Sequence, residues 1–224
     1  MKVGLIVAME SEYKSVLAAL GGKPDGKIGN TEVSLRRCGI GKVNAAVCAV
    51  RLIQEFGPDA VISTGLAGGI DTQMRLMDIV AASQTVYHDV DCGGVATGEY
   101  HLGQVQGLPA RFDADQRLLD HASSVPLSDD ERLVKGLICT GDQFITDREK
   151  QGAIKRNFPD GMACDMESAA IAQTCYLMKV PFLSLRVISD TPGQVDDHQQ
   201  QWTDFLGSMC DFSFRFVKKF LETL

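Results

Sequence analysis

Apolar residues fall along this chain in short blocks that switch between two spacings. Val3 to Ala8 is a continuous apolar run, and after Glu10 the residues Val16, Leu17 and Leu20 recur at helical spacing, which predicts a strand followed by a helix. Gly21 to Gly29 is rich in Gly, Lys, Pro and Asp. From Thr31 to Leu35 polar and apolar residues alternate, as in the half-exposed strand of a hairpin-like excursion. Val43, Ala46, Val47, Val50, Leu52 and Ile53 mark a helix that follows Gly39-Ile40-Gly41-Lys42 and stops at Gly57-Pro58. Ala60 to Thr64 is apolar without alternation, the pattern of a parallel strand covered on both faces. The run Gly65-Leu66-Ala67-Gly68-Gly69 behind it predicts a tight turn.

The second half repeats the alternation. Asp78 to Tyr87 predicts a strand, Asp91 to Gly107 a glycine-rich loop, Ala114 to Ser124 a helix and Leu133 to Thr140 a strand. Arg148 to Phe158 predicts a helix, and Pro159-Asp160-Gly161 a turn. Asp165-Met166-Glu167-Ser168 then opens a helix through Leu177, Pro181 to Ser189 is a strand ending at Asp190, and Trp202 to Leu221 is amphipathic. Strands alternating with helices predict an α/β fold with a mixed, mainly parallel central sheet and helices on both faces. At 224 residues one core is expected, so 1–224 is read as a single domain.

Composition narrows the functional classes. Apolar residues at 45% and charged residues at 23% fit a globular chain and exclude a disordered one. The 22 basic and 29 acidic side chains leave a net charge of −7, with basic residues adjacent only in pairs such as Arg36-Arg37, so neither nucleic acid nor an anionic membrane is an expected partner. Seven cysteines are scattered without a C-x-x-C spacing, which argues for buried free thiols and against a metal site; no metal or cofactor is expected. The apolar run at the start is too short for a secretory signal, and a cytoplasmic location is expected.

Ligands of open α/β sheets gather past the carboxyl ends of strands, where this chain offers Glu10 and Glu12, the glycine run, Asp165 and Glu167, and Ser189 and Asp190. Each has a plain structural explanation. Glu10 and Glu12 complement a helix dipole, Asp165 and Glu167 sit where an N-cap and first turn fall, and Asp190 precedes a Thr191-Pro192-Gly193 turn. The glycine run is neither a dinucleotide fingerprint nor a phosphate loop.

Their conjunction is more specific. Ala8-Met9-Glu10-Ser11-Glu12, Gly39-Ile40-Gly41-Lys42-Val43, Thr64-Gly65-Leu66-Ala67-Gly68-Gly69, Tyr87-His88-Asp89-Val90-Asp91, Gly141-Asp142-Gln143-Phe144-Ile145, Asp165-Met166-Glu167-Ser168-Ala169-Ala170 and Arg186-Val187-Ile188-Ser189-Asp190 run in order along nearly the whole chain. In this wording the sequence resembles the methylthioadenosine/S-adenosylhomocysteine nucleosidases of the purine/uridine phosphorylase superfamily. The resemblance implies a nucleoside-phosphorylase-like fold, a homodimer whose Gly93 to Pro109 loop reaches the neighbour's pocket, and hydrolysis of the bond between adenine and ribose without a cofactor.

It also implies roles. Asp190 would protonate the purine at N7, with Ser189 orienting it. Glu12 would activate water, with Arg186 holding the water or the glutamate, although a purely structural ion pair explains a buried arginine equally well. Glu167, held ionised near a helix N-terminus, and the backbone of Met166 would take the ribose hydroxyls. Phe144 would stack on adenine, the backbone of Ile145 would read its edge, and Met9 and Trp202 would line the 5′-substituent pocket. Gly68 is counted with the binding residues.

Three positions depart from the family pattern: Leu66 and Cys38 stand where serine is usual, and Thr191-Pro192-Gly193 follows Asp190, which leaves the 5′-substituent of the substrate open. A phosphorolytic enzyme is the nearest alternative, but phosphate calls for an arginine just past the first strand and none precedes Arg36. A non-catalytic nucleoside-binding protein is the alternative from another class.

Overall fold

The structure, a computed structural model, describes the backbone of residues 1–190 and 198–224 and, within these, the side chains of all but 198–205. Its first strand β1 (Lys2–Val7) leads into helix α1 (Glu10–Ala19), and the hairpin β2 (Asp25–Ile28) and β3 (Thr31–Arg37) follows. Helix α2 (Lys42–Phe56) ends at Gly57, whose left-handed φ of 59° lets its N–H return to the carbonyl of Ile53. Then come β4 (Ala60–Gly69), β5 (Ile79–Tyr87), the short β6 (Phe112–Asp113), α3 (Gln116–Ser124), β7 (Leu133–Thr140), α4 (Arg148–Asn157), β8 (Gly161–Asp165), α5 (Ser168–Met178), β9 (Phe182–Asp190) and α6 (His198–Thr223).

The strands form one mixed sheet. Pairs β1–β3, β1–β4, β4–β9, β5–β7 and β7–β8 are parallel, while β2–β3, β4–β8, β5–β6 and β5–β9 are antiparallel. Because β9 bonds to both β4 and β5, the strands β4, β8, β7, β5 and β9 close into a ring of ladders. That closure brings the ends of β4, β8 and β9 together.

Side-chain alternation along the strands sorts the core into two sides. Val3, Leu5, Val7, Ala60 and Ile62 pack with residues of α1, α3 and α6, including the fully buried Phe220. Ile6 and Val61 point the other way, among Ala45, Ala49 and Leu52 of α2 and Ala169 to Ala172 of α5. Among the described residues no helix is long and apolar enough to cross a membrane.

Two local expectations are corrected. The glycine run does not turn: β4 continues through Gly69 and pairs with β9 and β8, with a bulge between Ala67 and Gly68. Its glycines serve close approach by neighbouring side chains rather than reversal of the chain. Asp165 does not open a helix either; it ends β8, a strand too short and weakly patterned to read from sequence, and α5 begins at Ser168.

Candidate functional site

Glu12, Glu167 and Asp190, which arrive from α1, the β8–α5 junction and the end of β9, line a single cavity of about 370 Å³. Most of the remaining lining is apolar: Met9, Ile40, Leu66, Phe144, Ile145 and Met166 contribute, with the backbone curve of Ala67 and Gly68. The volume lies within the range of small-molecule sites.

Glu12 is held by backbone. Its Oε2 accepts the N–H groups of Ala8 (3.0 Å) and Met9 (2.8 Å), which α1 would otherwise leave unpaired, and its Oε1 accepts the N–H of Leu66 at 3.1 Å. Leu66 therefore contributes through its backbone and closes the pocket with an apolar side chain. Burial drives the pKa of Glu12 upward against these donors and against the charge of Arg186.

Asp190 stands at the other wall. Ser189 Oγ lies 2.9 Å from its Oδ1, as a hydrogen-bond donor, and 3.2 Å from the carbonyl of Ala67. A Cβ on Gly68 would stand 3.2 Å from the same Oδ1, so the missing side chain gives the carboxylate its space. Cys164 Sγ shares that corner, and burial followed by the charge of Asp190 pushes its thiol well up.

Glu167 accepts the N–H of Gly41 at 2.9 Å. The helix N-terminus does not keep it strongly acidic, which corrects the sequence expectation. Burial and then the negative charge of Asp165 push it up to about 7, and neither Arg186 nor the Gly41 hydrogen bond cancels them.

Arg186 is also corrected in part. It lies buried behind the cavity rather than lining it. Its Nε donates to Asp165 Oδ2 at 2.9 Å and its Nη2 to Ser63 Oγ at 2.9 Å, so its hydrogen bonds run to these two side chains and not to Glu12 or Glu167. Its charge nonetheless acts on both glutamates.

Phe144 is 62% exposed at the cavity edge, whereas Ile145 is buried. Cys38 does not line the cavity; its thiol donates to the carbonyl of Gly39. The side chain of Trp202 and the segment Thr191-Pro192-Gly193 lie outside the described residues. Among the described residues no cluster of His, Cys, Asp and Glu could hold a metal ion.

The phosphorylase superfamily model matches residues 2–222. A 5′-methylthioadenosine/S-adenosylhomocysteine nucleosidase from Desulfotalea psychrophila is 42% identical, the match covering 99% of each chain. The chain belongs to this nucleosidase family of the phosphorylase superfamily. Solved nucleosidases agree in shape. The Colwellia psychrerythraea enzyme in complex with adenine is 34% identical with a TM-score of 0.91 over 100% of this chain and 96% of that one. The Neisseria meningitidis enzyme with methylthio-immucillin-A is also 34% identical, with a TM-score of 0.91 over 100% and 99%.

Within this nucleosidase fold, sequence reasoning missed Ala8, Ile40, Ala67, Gln143 and Cys164 as cavity residues, and gave Asp165, a candidate by its position, no role there. Asp165 carried a signal, an acid directly before a helix, but capping explained it. Cys164 carried none, since a cysteine in an apolar strand reads as core.

Proposed function

We propose that this chain hydrolyses the N-glycosidic bond of methylthioadenosine, S-adenosylhomocysteine or a related 5′-substituted adenosine, releasing adenine. The observation that carries the reading is the meeting of Glu12, Glu167 and Asp190 around one largely apolar cavity with no lysine or arginine among its described lining residues.

Adenine leaves poorly as an anion, so an acid must deliver a proton as the bond lengthens. Asp190 takes that role, toward N7, and its hydrogen bond with Ser189 supports a fixed orientation. The sugar gains oxocarbenium character, which the surrounding carboxylates stabilise. Glu12 is the base: its Oε2 is occupied by two backbone donors, while Oε1 carries one and keeps room for a water proton. The upward shift of its pKa makes it a stronger base than an exposed carboxylate. Glu167 and the backbone of Met166 hold the ribose hydroxyls, Arg186 adds positive charge from behind the cavity, Phe144 and Ile145 take the base, and Met9 borders the 5′-substituent.

Phosphorolysis is disfavoured on the same ground. A phosphate dianion in this cavity would meet Glu12, Asp165, Glu167 and Asp190 with no lining cation to grip it. We also read 1–224 as one cytoplasmic domain on a mainly parallel sheet, acting as a homodimer. Exposed Val43 and Val47 on α2, beside exposed Tyr176 and Leu177 on the adjoining α5, support that pairing.

The test is release of free base from adenine, inosine and uridine nucleosides with and without phosphate. Adenine from methylthioadenosine in phosphate-free buffer is the expected product; strict dependence on phosphate means phosphorolysis. Asp190→Asn should lower kcat by ~10²–10⁴. Binding without turnover by the wild type would make the chain a nucleoside-binding protein instead.

A further inference from the structure

Asp165 lines the cavity yet has no capacity left for a ligand. Thr140 Oγ1 donates to its Oδ1 at 2.6 Å, the N–H of Ser168 approaches both oxygens, and Ser168 Oγ and Arg186 Nε both donate to Oδ2. A carboxylate offers about four acceptor positions, and these donors fill them. Whatever Asp165 contributes therefore passes through the groups it holds.

Those groups are buried and do not line the cavity themselves. Thr140 ends β7 directly beside Asp165 and also accepts the N–H of Ala169, while Ser168 is the first residue of α5, its hydroxyl 2.7 Å from that of Ser184. Met166 and Glu167 lie between Asp165 and Ser168, so the carboxylate ties both ends of the segment carrying the proposed ribose contacts. On Arg186, with Nε fixed by Asp165 and Nη2 by Ser63, Nη1 is buried without a hydrogen-bond partner among the described residues. Burying such a donor is unfavourable unless an oxygen meets it.

Resting on the nucleosidase reading above, we propose that Asp165 is a positioning residue: it locks the guanidinium of Arg186 behind the cavity, where its charge acts on Glu12 and Glu167, and it clamps the Met166–Glu167 turn. It deepens that mechanism without touching substrate. The charges acting on Glu167 include Asp165 at the end of β8, Arg186 on β9 and Glu12 on α1, with the Gly41 N–H before α2. Removal of the Asp165 charge therefore shifts the titration of Glu167 downward.

Kinetics on methylthioadenosine and calorimetric binding of adenine and of a C-glycosidic adenosine analogue, which cannot be cleaved, test this with Asp165→Asn. Expected are a loss of kcat of about 10- to 100-fold, the effect of a lost hydrogen bond to a charged group, and a pH profile moved to lower pH. Adenine affinity should stay within about twofold while the preference for the analogue over adenine shrinks. In an Arg186→Lys background the same substitution should cost no more than about twofold, since residues acting through one another are not additive. Should Asp165→Asn fail to fold, Ser63→Ala, which releases Nη2, should lower kcat several-fold with adenine binding intact. Full additivity, an unmoved pH profile with wild-type kcat, or parallel loss of adenine affinity and thermal stability overturns the proposal. If the wild type releases no adenine, the nucleosidase reading fails instead, and the analogue-to-adenine ratio still reports on Asp165.

Discussion

Gly65 has no side chain because Oε1 of Glu12 occupies the space one would need: a Cβ there would overlap that oxygen and stand only 2.9 Å from the carboxyl carbon. The glycine also holds a φ of 150°, a conformation L side chains rarely adopt. Gly65→Ala should therefore push Glu12 away from the Leu66 N–H and strain β4 at once. The expected outcome is a fall in kcat of at least about 100-fold, the scale of a displaced general base, with a stability loss of about 1–3 kcal/mol. Steady-state kinetics and thermal unfolding check it. An alanine variant with wild-type kcat would show that Glu12 is not the base.

The carboxyl of Glu167 trades stability for function. Folding moves it from an ordinary 4.5 to about 7, so between these values the native protein holds more protons than the unfolded chain. Stability is fully present below 4.5 and falls as pH rises toward 7, and above that the cost is complete, on the order of 3 kcal/mol. Glu167→Gln keeps an oxygen for the Gly41 N–H and removes the charge. It should raise Tm at pH 8 by several degrees, at ~2–4 °C per kcal/mol for a chain of this size, with the gain vanishing toward pH 5. Turnover should drop in the same variant. Melting curves across pH decide it: a variant equally or less stable than wild type at pH 8 would mean that the buried charge is compensated.

The legible part of this molecule is what periodicity encodes. Val3 to Ala8, the α2 stripe ending at Gly57-Pro58 and Leu133 to Thr140 each stand close to where their apolar pattern predicts: β1 is buried on both faces and reads as a continuous run, while α2 buries one stripe. Position past strand ends marks Glu10, Glu12, Asp165, Glu167 and Asp190 alike, and only the family resemblance singles out Glu12, Glu167 and Asp190, which the structure brings around one cavity. Local signals failed where a residue type has two uses. Glycines at 65 to 69 serve a turn or a close approach equally well, and only the carboxylates of Glu12 and Asp190 packed against β4 decide between them. The same holds for Asp165, whose partners Thr140 and Arg186 come from distant strands. The pKa of Glu167 was misjudged because its helix position is local and visible, while its burial and the neighbouring Asp165 charge come from tertiary structure.

Phe144 offers the sharpest separation of binding from folding. It lines the cavity while 62% exposed, so the fold buries less than half of the residue and truncation there costs less than at a core position. A purine seated against that face would gain a stacking contact of about 1–3 kcal/mol. Phe144→Ala should accordingly weaken adenine binding by roughly 10- to 100-fold while Tm shifts little, and KM for methylthioadenosine should rise more than kcat falls. Phe144→Leu, which keeps apolar bulk without a flat π-face, should recover only part of the affinity. Calorimetric titration with adenine, alongside melting curves, distinguishes the outcomes. Adenine affinity unchanged in both variants would move the base away from Phe144 and toward the Ile40 wall of the cavity.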